Sequence, residues 1–252
     1  MKQILLSIAL LVSLSGLAFG QTTPASEIVP GGKLRVGTIA ITVIGGVAEP
    51  VARFIGQKLG AAVELVMYPN PEAYLQSFGK GEWDIVIAAR VLIPAEADSI
   101  ADLWVISLVY VAAPGKEFPD IASVDKAGVK IGVIRGVPSD RVLTREIKAA
   151  EIVRIPLSPT IAADAADLLR SHKADVFAAD SGVAYPVAEA LPGATIVPGA
   201  FAMVRVAAAL PKGRSAAAHA ALATILDEAK QSGVVQQAID AKHLKGVNVA
   251  TE

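Results

Sequence analysis

The chain has 252 residues, of which 53% are hydrophobic, and its formal net charge at pH 7 is −1. This length provides one large domain or two modest ones, with enough apolar material for a core. The near-neutral charge gives no electrostatic reason to expect nucleic acid or an anionic membrane as a partner. The chain contains no cysteine, which excludes disulfides, thiolate metal sites and a thiol nucleophile.

The first residues, MKQILLSIALLVSLSGLAFGQ, have the layout of a cleavable secretory signal. Lys2 supplies a positive charge, and the apolar segment after it is too short to span a bilayer comfortably. Ala18 and Gly20 then place small residues shortly before Gln21. The alternative, a membrane anchor, fits this layout less well. Residues 1–20 are therefore predicted to be a signal peptide, and the mature protein to be exported.

After this segment, short β-branched runs alternate with helical stretches. The pattern predicts, in chain order, a strand at 33–41, a helix at 45–60, a strand at 62–69, a helix at 71–81, a strand at 83–90 and a long β-rich run at 103–114. Continuous apolar strands separated by helices are typical of a parallel sheet covered on both faces, so a parallel sheet is expected.

The same plan then restarts in the second half of the chain. Strands are predicted at 129–136, 151–158 and 174–181, helices at 138–150, 160–173 and 182–191, a return run at 194–213 and a helical region from Ser215 to Leu244. The letters KLRVG at 33–37 resemble KIGV at 130–133, and DIVIAA before Arg90 resembles DVFAA before Asp180. Two α/β units of the same architecture are therefore predicted.

Two similar lobes with one strand leaving the first and another returning to it imply two strand crossings, which form a hinge. The predicted bounds are 33–108 plus 202–252 for lobe 1 and 109–201 for lobe 2. In open α/β sheets, ligands bind outside the carboxyl ends of the strands, and the cleft between lobes is a natural site. Arg90 and Asp180 lie at such ends, so each lobe is expected to offer one charge to the same cleft.

Two stretches carry a resemblance to a known family. They are VELV followed by PEAYLQSFGKGEWDIVIAA in the first half, and ADVFAADSGVAY in the second. The chain, from Lys33 to about Leu244, resembles the type II periplasmic solute-binding proteins, especially the extracellular solute-binding family that serves amino-acid ABC transporters. The resemblance implies an α/β fold of two similar lobes joined by a two-strand hinge. It also implies a monomer in the periplasm that binds a small polar or anionic ligand for an inner-membrane ABC permease.

In that family, an aspartate at the end of a strand in the second lobe commonly receives the amino group of the ligand. Asp180 stands at this place within AADS, and a carboxylate accepts well from an ammonium through charge-assisted hydrogen bonds. The alternative role is that of a helix cap, with Asp180 or Ser181 beginning the next helix. The two roles are compatible with each other.

The chain departs from the family where the ligand carboxylate is usually held. Val91 and Ile93 stand where hydroxyl residues are common, and Glu96 stands where an arginine is expected. The turn of the second lobe, often a glycine and two threonines, reads GVPSD, and GTIAITVIGG lacks the usual aromatic residue. The standard grip on an α-amino acid is therefore not intact.

Two arginines are candidates for the missing cation. Arg90 ends the strand of the first lobe, where a guanidinium can fork onto a carboxylate, phosphonate or sulfonate. Its alternative is a structural ion pair with Glu96 or Asp98, or a solvated strand end. Arg135, which ends VKIGVIR, is a second candidate with the same alternatives.

Three hydroxyl residues are further candidates for ligand binding. Ser139 follows Pro138 at a predicted helix start, where capping is the ordinary role and free N–H groups also suit an anion. Asp140 beside it would oppose an anion. Thr38 and Thr42 lie in or just after the first strand, near the expected cleft, where either can donate a hydroxyl.

Several other functions lack a motif. The mature chain has neither G-x-G-x-x-G nor G-x-S-x-G, and its three histidines show no metal-ligand spacing, so no cofactor, metal or catalytic residue is predicted. Three rivals to the transport reading stay open. They are a binder of phosphonates or other organic anions, an accessory binding protein of a periplasmic oxidation system, and a dehydratase of the same fold, which would need a positioned acid or base.

Overall fold

The computed structural model describes residues 23–251, so the predicted signal peptide lies outside the described residues. The helices are α1 Pro24–Ile28, α2 Thr42–Leu59, α3 Pro71–Gln76, α4 Pro138–Glu146, α5 Ile161–Arg170, α6 Ser181–Ala190, α7 Ala216–Gln231 and α8 Val234–Ala241. The strands are β1 Lys33–Ile39, β2 Ala62–Tyr68, β3 Ile85–Ala89, β4 Ala97–Ala112, β5 Lys130–Ile134, β6 Glu151–Ile155, β7 Val176–Asp180, β8 Thr195–Ile196, β9 Ala202–Pro211 and β10 Val247–Val249. None of the helices within this range combines the length and apolarity needed to cross a membrane.

Helix α2 begins earlier than the sequence pattern predicts. It starts at Thr42, three residues ahead of Gly45. A Cβ atom on Gly45 would lie 2.7 Å from the carbonyl oxygen of Ile39, closer than real Cβ contacts allow. Glycine at this position therefore lets the helix pack closely against the end of β1, and it does not mark the helix entry. The helix ends at Leu59, and the expected glycine follows it: Gly60 has a left-handed φ of 65°.

The sheet is mixed, which corrects the expectation of a parallel sheet. Its strand order is β2-β1-β3-β9-β4-β7-β5-β6, with β8 and β10 also paired to β4. The pairs β1–β2, β1–β3, β5–β6 and β5–β7 are parallel, whereas β9 and β4 run antiparallel to their neighbours. Sequence alternation identified the strands that α-helices connect, but it contains no signal for the direction of the two long crossing strands.

Strand β4 passes through both halves of the molecule. It pairs with β9 from Ala97 to Leu108 and with β7 from Leu108 to Ala112. The buried apolar residues up to Leu108 and after Val204 form one set of clusters, whereas those from Val109 to Val197 form another. We therefore propose lobes with the bounds expected from the sequence, and the names lobe 1 and lobe 2 are used for them below.

The two halves repeat the same local contacts. The backbone N–H of Arg35 in β1 donates to Asp84 at 2.9 Å, and that of Lys130 in β5 donates to Asp175 at 2.9 Å. Each carboxylate lies just before the next strand, β3 or β7, and ties that strand to its parallel neighbour. The pairs Val36–Ile85 and Ile131–Val176 then begin the two ladders in the same register.

The lobes touch where α6 meets lobe 1. A Cβ atom on Gly182 of α6 would lie 2.5 Å from Val43 Cγ1 of α2, and one on Gly246 would lie 2.8 Å from Cβ of Ser181. Lys245, beside the latter glycine, forms an ion pair with Glu189 of α6 at 2.8 Å. Small residues on both sides therefore allow the two lobes to approach closely.

The substitution Gly182→Ala is expected to push the lobes apart. The added methyl group would overlap Val43 of α2, and such overpacking costs about 1–3 kcal/mol. We expect a lower unfolding midpoint and a larger radius of gyration by small-angle X-ray scattering. Gly31→Ala is the matched control, because nothing lies within 4 Å of a Cβ atom at that position. Identical scattering and stability in the two variants would contradict the close contact.

Candidate functional site

Asp180 lies at the boundary between the lobes. It is the last residue of β7 and occupies the N-cap position of α6. Directly opposite it on β4 is Leu108, the last residue of β4 that pairs with β9 and the first that pairs with β7. Short elements on both sides, a buried strand before it and a helix after it, hold its backbone in place.

One of the two carboxylate oxygens of Asp180 has no hydrogen-bond partner among the described residues. Its Oδ1 atom is buried and has no hydrogen-bond partner within residues 23–251, and the side chain makes no capping hydrogen bond to α6. Burial raises the pKa of Asp180, an effect that the amides of Gly182 and Val183 oppose only in part. A buried carboxylate without a partner is costly, and such groups are concentrated at functional sites.

Arg90, the other charge expected in the cleft, is engaged elsewhere. Its Nε atom donates to Asp102 at 2.8 Å, and Arg205 contacts the second oxygen of the same carboxylate at 3.0 Å. The structural ion pair considered for Arg90 is therefore observed, but its acid is neither Glu96 nor Asp98.

The two candidate charges also lie on opposite faces of the sheet. Asp102 pairs with Ala207 of β9, and Leu108 pairs with Ala202 of the same strand. Ala207 and Ala202 are an odd number of residues apart on β9, so they point to opposite faces. Asp180 pairs with Leu108 and shares its face. The guanidinium held by Asp102 is thus on the far face, and the expectation that the two charges share one cleft is corrected.

The repeat explains this difference. Arg90 is the sixth residue after the anchoring Asp84 and begins a 3-10 turn just after β3, whereas Asp180 is the fifth residue after the anchoring Asp175 and is still in β7. Asp180 is therefore equivalent to Ala89, and Arg90 is one position out of phase. A shift of one residue along a strand moves a side chain to the other face.

The register of the sheet relates Arg135 to Asp180. Strand β5 pairs with β7 in parallel, with Val133 opposite Ala178 as the last pair, and the same register continued by two positions puts Arg135 level with Asp180. The N–H of Arg135 donates to the carbonyl of Ile155 at 2.9 Å, which keeps this residue paired with β6 on the other side of β5. Its side chain is exposed and has no hydrogen bond or ion pair among the described residues.

The start of α4 already holds a carboxylate. Ser139 in its first turn is buried, and Asp140 accepts from the N–H of Gly136 and from Nε of Arg154, both at 2.8 Å. Burial by itself would raise the pKa of Asp140, but Gly136, Arg154 and Thr144 together lower it. A charged carboxylate at the helix start opposes a second anion there. The structure therefore does not favour Ser139 as an anion-binding residue.

The two threonines differ in accessibility. Thr38 is fully buried, and its hydroxyl donates to the carbonyl of Ile87 at 2.8 Å, so it is not available at the surface of the cleft. Thr42, the first residue of α2, is exposed and lines a cavity of about 280 Å³ that also contacts Ser181 and Tyr185 of lobe 2. Of the two, only Thr42 lies between the lobes.

Two polar residues of this region were not predicted to belong to the site, although Ser181 was considered as a helix cap. Asp102 lies in the first part of β4, which was not predicted as strand because polar residues interrupt its apolar pattern. The available sequence signal for Asp102 was that it is a single acidic residue next to a buried strand and near an arginine. Ser181 is buried with an unpartnered Oγ atom, and nothing in its sequence context distinguishes it from an ordinary helix start.

A scan of protein-family models finds no match to this chain, and the search of curated proteins finds none either. Solved structures do match it. An ancestral amino acid-binding protein, described as a precursor of cyclohexadienyl dehydratase, is 20% identical with a TM-score of 0.64 over 87% of this chain and 98% of its own.

Two further matches are transport proteins. A protein described as a binding component of an ABC transporter, from Wolinella succinogenes and complexed with lysine, is 18% identical with a TM-score of 0.65, covering 84% of this chain and 95% of its own. An amino acid ABC transporter substrate-binding protein from Streptococcus pneumoniae, bound to L-arginine, is 18% identical with a TM-score of 0.61, covering 89% and 99%. These likenesses confirm the predicted fold: the chain has the two-lobe fold of the type II periplasmic-binding proteins.

Proposed function

We propose that this protein is a periplasmic solute-binding protein that captures a small molecule between its lobes for an ABC transporter. The proposal is supported by the fold, which is shared with substrate-binding proteins of such transporters. It is also supported by the two crossings between the proposed lobes, one within β4 after Leu108 and one just before β9, which would serve as the hinge. Export would be directed by the predicted signal at residues 1–20.

The observation that carries the proposal is the unpartnered carboxylate of Asp180 at the lobe boundary. A ligand with a cationic nitrogen would satisfy this carboxylate through a charge-assisted hydrogen bond. An anionic ligand has less support, because Arg90 is bound to Asp102 and Asp140 occupies the start of α4. The structural neighbours complexed with lysine and arginine bind ligands with such a nitrogen.

Hinge closure is the mechanism. In the open form, the ligand would pair with Asp180 on lobe 2. Closure then brings Val43 and the start of α2 on lobe 1 over the start of α6. Because the ligand interacts more favourably with the closed form, it shifts the population towards closure. The permease would recognise the closed arrangement of the two lobes.

Asp180→Asn is expected to weaken the binding of amine ligands. L-Arginine, L-lysine, other amino acids, polyamines, organic acids and phosphonates form the panel, and ligand-induced shifts of the melting temperature identify the hits. Loss of the charge should weaken a hit by about 10- to 150-fold in calorimetry, the equivalent of about 1.5–3 kcal/mol for a hydrogen bond to a charged group.

Asp84→Asn is the matched control for this variant. Asp84 is a buried carboxylate that pairs with Arg35 at 2.6 Å, away from the lobe boundary. This control should unfold at a lower temperature and retain its ligand response. Full affinity in Asp180→Asn would exclude Asp180 from the site, and hits among organic acids or phosphonates alone would favour the anion-binding alternative. Chemical turnover of a hit would show an enzyme.

Arg90→Ala is expected to leave ligand affinity unchanged. Its guanidinium lies on the face of the sheet opposite Asp180, and it is about half exposed. Arg205 still contacts Asp102 after the substitution, so the free energy of unfolding should change by no more than about 1 kcal/mol. Titration calorimetry with the best ligand of the panel tests this, and a loss of affinity would place Arg90 in the site.

Asp180 should make the ligand-free protein less stable as the pH rises. Its pKa in the folded protein lies above the ordinary value of 3.8, so the folded state binds this proton more tightly than the unfolded state. Stability is therefore lost as the pH rises from about 3.8 through the folded-state pKa. Asp140 and Asp175, whose pKa values are lowered, act in the opposite direction.

Comparing the wild type with Asp180→Asn removes those opposing contributions. Urea unfolding at a series of pH values from about 4 to 8 should show the wild type losing stability relative to the variant as the pH increases. A difference that does not change with pH would mean that Asp180 has its ordinary pKa.

A further inference from the structure

Two ionisable side chains at the cleft end of lobe 2 make no ion pair among the described residues. Oδ1 of Asp180 is buried without a hydrogen bond, and the exposed side chain of Arg135 makes neither a hydrogen bond nor an ion pair within residues 23–251. One group is an anion and the other a cation. The ends of β7 and β5 therefore offer two different binding groups side by side.

The register of the sheet sets the separation of these two residues. Val133 and Ala178 are partners in the parallel pair, and two further positions along both strands lead to Arg135 and Asp180. Residues in register on neighbouring strands have backbones about 4.8 Å apart and side chains on the same face. Arg135 is still held in line with the sheet on the other side of β5, because its N–H donates to the carbonyl of Ile155 in β6.

Two of the lobe 1 residues expected in the site, Arg90 and Thr38, are occupied elsewhere. The guanidinium of Arg90 lies on the opposite face with Asp102, and the hydroxyl of Thr38 is buried against Ile87. Near the start of α6, lobe 1 instead presents Val43, which contacts Gly182, and the polar residues Thr42, Lys242, His243 and Lys245.

We propose that Arg135 binds a carboxylate of the ligand next to the amine held by Asp180, so that lobe 2 by itself recognises both ends of a zwitterion. A guanidinium presents a planar pair of donors that matches a carboxylate. Because the side chain of Arg135 is exposed, it is free to turn towards the carboxylate of a ligand. The inference rests on the proposed function, because it requires a ligand amine at Asp180. It assigns the acid-binding role to a residue of lobe 2, although the sequence comparison placed the missing arginine at Glu96 of lobe 1.

Binding of both charged ends to one lobe has a mechanistic consequence. The ligand can dock fully on lobe 2 while the cleft is open, and closure then adds the wall of lobe 1 that contains Val43 and Thr42. The charged groups of the ligand determine whether it binds to lobe 2, and lobe 1 contacts the part of the ligand that is still exposed.

The test uses pairs of ligands that differ only in the carboxylate. L-Arginine and agmatine form one pair, and L-lysine and cadaverine form the other. The affinity of each for the wild-type protein, Arg135→Ala, Arg135→Lys and Arg90→Ala is measured by titration calorimetry. Arg135 is exposed and unpaired among the described residues, so its substitution should leave the fold intact, which unfolding curves verify.

We expect Arg135→Ala to weaken the amino acid by at least about tenfold and to leave its decarboxylated partner unchanged, the size expected for one charged hydrogen-bonding group. Arg135→Lys should restore part of the difference, and Arg90→Ala should bind all four ligands as the wild type does. Equal effects of Arg135→Ala on both members of a pair, or no effect on either, would overturn the inference alone. Failure of the wild type to bind any amine of the panel would overturn the proposed function together with it.

Discussion

The register of one strand controls the chemistry of the lobe boundary. Strand β4 pairs with β9 in lobe 1 and with β7 in lobe 2, and Leu108 is the position shared by both ladders. Because paired residues share a face, this strand decides which polar side chains of the two lobes can meet. Asp180 is brought to the face of Leu108, whereas Asp102, six positions earlier and beyond a register shift, is directed to the other face with its two arginines.

Much of the fold could be predicted from the sequence. The alternation of apolar runs and helical stretches located nearly all strands and helices, and the repeated Asp-strand motif indicated two similar α/β units. The direction of β4 and β9 could not be read in the same way, because a strand has the same apolar pattern whichever way it runs. The first part of β4, from Ala97 to Asp102, was missed since its polar residues interrupt that pattern.

The candidate site was harder to predict, because it depends on the phase of each strand. Asp180 was found from its motif and lies at the boundary, with a carboxylate that the protein itself leaves unpaired. Arg90 appeared equivalent to Asp180 in the sequence. However, Arg90 is six residues after Asp84, whereas Asp180 is five residues after Asp175. The pairing of β5 with β7 was needed before Arg135 could be recognised as the neighbour of Asp180.

The contact between α6 and the segment before β10 has a consequence for how the protein responds to its surroundings. Lys245 and Glu189 belong to different lobes, and both side chains are largely exposed to solvent. Dissolved ions screen exposed charges over a Debye length of about 8 Å at physiological ionic strength, and less effectively in dilute solution. Concentrated electrolyte therefore weakens this attraction, and under the proposed hinge mechanism higher ionic strength would favour the open form even without a ligand.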